Sequence, residues 1–217
     1  YTAVMTLNTP QGVFHDTLSV RVNNACTADS VPGEAVRIGG NDNEGYVSLP
    51  PFNVTTNTFT VTAWVKPDGE QPEYSGIFMH DGDAAGFNFQ PGNNKLGYHW
   101  PNGAWWWESG LTVPSGEWNH VAMVVEPDGI TLYVNGIGSK NTFAPVKVNF
   151  SAGARLGNYQ GWGGRYMKGD LDEVCVYNRS LTQAEIREKM HLRKIPADET
   201  DMLAYYQFNE AGGSTSF

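Results

Sequence analysis

The chain has 217 residues, 40% of them hydrophobic, with 25 glycines and 12 prolines; this suits one β-rich domain with many turns plus flanking pieces and excludes a disordered chain. A net charge of −9, from 14 basic and 23 acidic residues, argues against nucleic acid, which demands clustered Lys and Arg. No apolar run reaches the roughly 18 residues of a membrane span, so membrane insertion is not expected.

Tyr1 to Val22 alternates around Pro10-Gln11-Gly12, which predicts two strands joined by a turn. Asn23 to Gly33 carries Asn, Ser, Pro and Gly and reads as a linker. Two short strands around a polar turn follow between Ala35 and Pro50. In the next strand Phe59, Val61, Ala63 and Val65 share one face, as a period of two requires. Pro67 ends it, because proline cannot donate to the ladder. Further strands are predicted at 76–80, 86–90, 95–100, 118–126, 130–135, 154–159 and 169–177, with Pro127-Asp128-Gly129 as a hairpin turn. One helix is predicted, running to about Met190. Thr182 is its N-cap and Glu185 completes a capping box, while Leu181 and Ile186 form a hydrophobic staple. Leu203 to Glu210 reads as a last strand, which either docks on the domain before it or opens a next repeat. Many short strands with one peripheral helix indicate an antiparallel β-sandwich. The chain thus divides into the end of one module over 1–25, a linker over 26–34, a sandwich domain over 35–190, and a linker with a strand over 191–217.

Three constellations could carry function. Trp100, Trp105, Trp106, Trp107, Tyr159, Trp162 and Tyr166 are dense for so small a region. Flat aromatic faces suit carbohydrate, whose C–H groups pack on a π surface. Large aromatics also pack cores and edges. Three consecutive tryptophans cannot all face one side of a strand, so at least one points outward or sits in a loop. Asp81, Asp83, Asn158 and Arg165 would then hydrogen-bond sugar hydroxyls. The second constellation is acidic: Asp42 in the first polar turn, Asp81 and Asp83 in a Gly-rich loop, Asp170 and Asp172 on one strand face. Such carboxylates offer oxygens to calcium, with Asp42 and Asp170 as candidate ligands, or they cap turns and pair with Arg155, Arg165 or Lys168. The third is catalytic. A glycan hydrolase needs two facing carboxylates. Scattered His80, His99 and His120 have no nucleophile partner by motif, and His120 on its patterned strand reads as structural. Cys26 and Cys175 lack metal spacing and form either one disulfide or two separate buried thiols.

Gly169-Asp170-Leu171-Asp172-Glu173-Val174-Cys175-Val176-Tyr177, running into the capped helix, resembles the closing segment of a laminin-G-like jellyroll of the concanavalin A-like lectin and glucanase superfamily. Phe59 to Pro67, Trp118-Asn119-His120-Val121-Ala122 and Leu132-Tyr133-Val134-Asn135-Gly136 are similar to further family motifs, in the family's order. The resemblance covers about Val36 to Met190. The first hairpin resembles the last two strands of a PKD-type immunoglobulin-like module, and Leu96-Gly97-Tyr98-His99-Trp100 with Ser109-Gly110-Leu111-Thr112-Val113-Pro114 looks like modules of multidomain surface proteins of Bacteroidota and related bacteria. What these resemblances imply is an all-β jellyroll, often with a rim calcium. They also imply a secreted or cell-surface protein whose partners are a glycan or cell-surface ligand and neighbouring modules. The glucanase strand of this family carries three acids at alternate positions. Here Asp170 and Asp172 are followed by Val174, so the pattern is incomplete and no enzyme activity is expected. The expected function is non-catalytic binding. The alternatives are a structural spacer or protein-binding adhesin repeat, then a glycan hydrolase.

Overall fold

The computed structural model describes the backbone of residues 2–9 and 12–19, and residues 34–39, 45–103, 107–161, 164–191 and 198–209 with their side chains. The chain forms two compact units, 1–33 and 34–217. In the first, β1 (Thr2–Thr9) and β2 (Gly12–Ser19) pair antiparallel from Thr2 opposite Ser19 to Thr9 opposite Gly12. This is the hairpin that the Pro10-Gln11-Gly12 turn predicts.

The second unit opens with β3 (Val36–Ile38), β4 (Val47–Leu49) and β5 (Thr55–Thr56). The long β6 (Phe59–Pro67) leads to β7 (Gly76–His80), β8 (Gly86–Gln90), β9 (Lys95–His99) and β10 (Trp107–Thr112). Then come β11 (Asn119–Glu126), β12 (Gly129–Val134), β13 (Ile137–Thr142), β14 (Val148–Asn149) and β15 (Ala154–Leu156). The unit closes with β16 (Gly169–Tyr177), α1 (Gln183–Lys189) and β17 (Met202–Tyr206).

These strands make an antiparallel β-sandwich jellyroll. One sheet has six strands in the order β10-β9-β8-β7-β15-β4, and the other has seven, β13-β12-β11-β6-β16-β17 with β3 also on β16. The alternation read from the sequence decides what lies between them. Phe59, Val61, Ala63 and Val65 of β6 meet Phe78, Phe87, Phe89, Leu96, Tyr98, Ala154 and Leu156 of the six-stranded sheet in one buried core. Four strands are absent from the sequence reading: the two-residue β5 and β14, which pair with each other, and β13 and β10. β13 is an edge strand with its polar residues largely exposed, so burial imposes no period on Gly138-Ser139-Lys140-Asn141-Thr142. β10 begins within the tryptophan run.

The helix forms where its cap predicts. Thr182 Oγ1 accepts from the Glu185 N–H, and the Glu185 carboxylate accepts from the Thr182 N–H at 2.8 Å. Leu181 and Ile186 are buried with Ala122, Val124, Tyr133, Cys175 and Tyr177 in a second apolar cluster, on the outer side of the seven-stranded sheet. We expect Thr182→Ala to destabilise the unit by about 1 kcal/mol, read as a shift in the urea midpoint at unchanged slope.

β6 pairs with one side of β16 along its length, so the other side is shared by two short strands. β3 lies against its start, with Val36 opposite Leu171, and β17 against its end, with Tyr206 opposite Val174. Between them Glu173 bulges at a φ of +50°. No helix among the described residues is long and apolar enough to cross a membrane.

Candidate functional site

The six-stranded sheet has a polar outer face. Along β8, Phe87 and Phe89 point into the core, so Asn88 and Gln90 point away from it. On β9, Leu96 and Tyr98 face inward and His99 faces out, and on β15 Arg155 projects outward between Ala154 and Leu156. Cross-strand register runs from Arg155 through Met79 and Gly86 to His99. Gln90 Nε2 donates to Asn88 Oδ1 at 2.8 Å, and both side chains are buried.

Segments 157–161 and 164–168 pair as a hairpin, with Asn158 opposite Tyr166, and pack against this face. Tyr159 N–H and Gly76 N–H both donate to the Arg165 carbonyl, which moors the hairpin beside β7. The Tyr159 hydroxyl nevertheless reaches His99 on β9, 3.1 Å from Nδ1, so the Tyr159 ring lies across β8. His99 Nδ1 is also 2.9 Å from the Ala84 carbonyl. A carbonyl only accepts, so Nδ1 carries the hydrogen. Burial lowers the pKa of His99 and raises that of Tyr159.

The rim of the face is aromatic and cationic. The Arg165 guanidinium lies 4.8 Å from the ring centres of both Tyr74 and Tyr159. Tyr74 holds its ring there from a φ of +58°, a strained conformation for a bulky residue. Arg155 lies 4.6 Å over the Tyr46 ring, pairs with Asp81 at 2.9 Å and donates to Asn158 Oδ1 at 3.2 Å. Gln160 Nε2 donates to the Asp81 carbonyl. Tyr46 is 44% exposed, one of few large apolar side chains so open to solvent among the described residues. The site therefore combines exposed and half-buried rings with fixed donors and acceptors.

The structure brings together Asn158, Tyr159, Arg165 and Asp81 from the sequence-based set, and Asp83 stands in the same loop. Trp100 is 0% exposed and belongs to the core, its indole N–H given to the Val146 carbonyl, so it offers no surface for a ligand. Trp107 is half-buried on β10, with its ring 5.4 Å from Tyr98. Trp105, Trp106, Trp162, Asp42 and Cys26 lie outside the described residues. Cys175 is buried in the cluster beneath the helix. Asp170 projects from the seven-stranded sheet and pairs with Arg37, which also holds Asp68. Among the described residues no three His, Cys, Asp or Glu side chains gather as a metal site. Sequence reasoning missed Tyr46, Tyr74, Asn88, Gln90, His99 and Arg155 as a group. The available signal was the Phe-Asn-Phe-Gln alternation of β8, which sets amides opposite two core phenylalanines.

A family model described as the concanavalin A-like lectin/glucanases superfamily matches residues 41–187. No curated protein matches the chain. Among solved structures, domain 4 of AbnA, a GH43 extracellular arabinanase from Geobacillus stearothermophilus in complex with arabinotriose, is 24% identical. The match covers 72% of this chain and 81% of that one, with a TM-score of 0.54. A candidate carbohydrate-binding protein from Bacteroides ovatus is 16% identical over 92% of this chain and 56% of that one, with a TM-score of 0.62. The mouse laminin α1 chain, domains LG4-5, is 17% identical over 71% of this chain and 44% of that one, with a TM-score of 0.52. At these identities the likeness is one of fold.

Proposed function

The chain belongs to the concanavalin A-like lectin/glucanase superfamily, and on that premise we propose that it is a non-catalytic binding module with a glycan as its ligand, in a secreted or cell-surface protein. The observation that carries this reading is the rim built by Tyr46, Arg155, Asp81 and Asn158 beside Tyr74 and Arg165. Aromatic faces accept the C–H side of a sugar ring. Fixed amide, guanidinium and carboxylate groups match its hydroxyls, each of which both donates and accepts. The carboxylates support a binding role over a hydrolytic one. Leu171 points into the core, so Asp170 and Asp172 point to the outer side of the seven-stranded sheet. Asp170 is held by Arg37, and Asp172 is buried and accepts the Glu173 N–H at 2.7 Å. A pair facing one sugar from opposite sides, which hydrolysis requires, is not what these two form. Calcium belongs to the proposal as a structural or ligand-bridging ion.

The test is a glycan array that includes arabinotriose, run in calcium and again in chelator. We expect reproducible hits that weaken roughly tenfold or more in Tyr46→Ala and Arg165→Ala, the scale of a contact that anchors an interface. Tyr46→Ala should leave the melting temperature near that of the parent, because the ring is exposed. Hits lost in chelator would place calcium in binding. A blank in both buffers would sink the glycan reading and favour a spacer or protein-binding repeat.

A further inference from the structure

We infer that His80 is a positioning residue of this site: by holding Asp83 it fixes the 81–85 loop, and through that loop it sets the Arg155 and His99 side chains. The inference rests on the glycan-binding reading only for what those two side chains do. His80 ends β7 with its ring turned into the core, almost wholly buried and 4.9 Å from the Phe150 ring. Its Nδ1 is 2.6 Å from Asp83 Oδ1. A carboxylate only accepts, so the imidazole donates. Burial, the largest single influence, works against the charged form of Asp83, but the hydrogen bond and electrostatic attraction of His80 together with backbone N–H groups of Asp83 and Ala85 outweigh it and hold the carboxyl below its ordinary pKa.

The backbone of His80 closes the same loop. Its N–H donates to the Ala85 carbonyl at 2.9 Å, and its carbonyl accepts from Ala84 N–H at 3.0 Å. Gly82 passes directly over the imidazole, where a Cβ would stand 2.7 Å from the ring Cε1. Ala84 is held at a φ of +56°, a conformation that persists only when its surroundings over-determine it. Two outputs leave this loop. Asp81 pairs with Arg155 at 2.9 Å and takes Gln160 on its carbonyl. The Ala84 carbonyl takes the His99 N–H at 2.9 Å. One buried imidazole thus ties the loop to the core from within, and the loop holds the polar face at two points.

The experiment separates the ring from its hydrogen bond. His80→Phe keeps the packing on Phe150 and drops the bond to Asp83. His80→Asn keeps a donor at the place of Nδ1 and drops the ring. Two readouts are taken: NMR signals of the Arg155 Nε–H and the His99 ring nitrogens in the ligand-free protein, and affinity for the strongest glycan on the array. We expect His80→Phe to melt near the parent temperature, with both NMR signals displaced. Its glycan affinity should be at least about tenfold weaker, the scale of one lost hydrogen bond to a charged group. His80→Asn should melt lower yet return both signals and the affinity towards those of the parent. Undisturbed signals in His80→Phe, or disturbances that simply follow melting temperature, would overturn the inference. Displaced signals beside a blank array would support the positioning and sink the glycan reading alone.

Discussion

Trp100→Ala is expected to destabilise the protein by about 3–5 kcal/mol, the range for emptying a buried tryptophan site. The side chain is fully buried, with its ring 6.4 Å from Phe150. It also donates to the Val146 carbonyl at 3.0 Å, so alanine leaves that carbonyl without its indole partner as well as a void. At a few degrees per kcal/mol for a domain of this size, the melting temperature should fall by roughly 10 °C. Trp107→Ala, half-buried at the sheet edge, should cost less. The pair decides between two uses of tryptophan in this region. If Trp100→Ala melted like the parent and instead lost a glycan, its place in the core would be wrong.

Gly169→Ala should destabilise the protein strongly, at about 3 kcal/mol. Gly169 opens β16 at a φ of +142°, which side chains rarely adopt and which costs a non-glycine residue about 1–3 kcal/mol. A Cβ there would overlap the Lys66 carbonyl oxygen and crowd the Cα of Pro67 on the neighbouring strand. Neither is a flexible side-chain tip, so the strand itself must shift, adding an overpacking penalty of about 1–3 kcal/mol. The register between β16 and β6, from Gly169 opposite Pro67 onward, begins at this residue. Urea denaturation reads the loss. Gly164→Ala is the control, since its φ is +81° but a Cβ there meets nothing within 4 Å. Equal effects from the two would mean that the dihedral alone matters and the contact with β6 does not.

Much of the sandwich was legible because burial on one side forces a period of two. That period placed β6 and put Phe59, Val61, Ala63 and Val65 on the core face. The capped helix was legible for a different reason: Thr182, Glu185, Leu181 and Ile186 complete it within one turn. β13 was not, because an edge strand exposed to water carries no such period. Its local mark was the Asn135-Gly136 turn, with both residues at positive φ, which binds β12 to β13. The site was legible only in part. Composition drew the eye to the tryptophans, yet Trp100 shares its parity with Leu96 and Tyr98 and so belongs inside. Asn88, His99, Arg155 and Tyr46 become neighbours only through sheet order and loop packing, which no local window contains.

The shared edge of β16 bears on how the second unit would yield to force applied at its two flanking strands. β3 runs away from the Glu173 bulge and β17 runs towards it, so the chain arrives at Val36 and departs at Tyr206 on either side of the same bulge. The facing positions, Leu171 and Val174, are three residues apart on β16, about 10 Å of strand. Val36 and Tyr206 therefore stand close together along β16. Within the second unit, the first residue of β3 and the last of β17 thus stand at one edge of β16, on the two sides of one bulge. A force applied at Val36 and Tyr206 would unzip two short strands from their bulge-side tips and leave the long β6–β16 pairing outside the line of force.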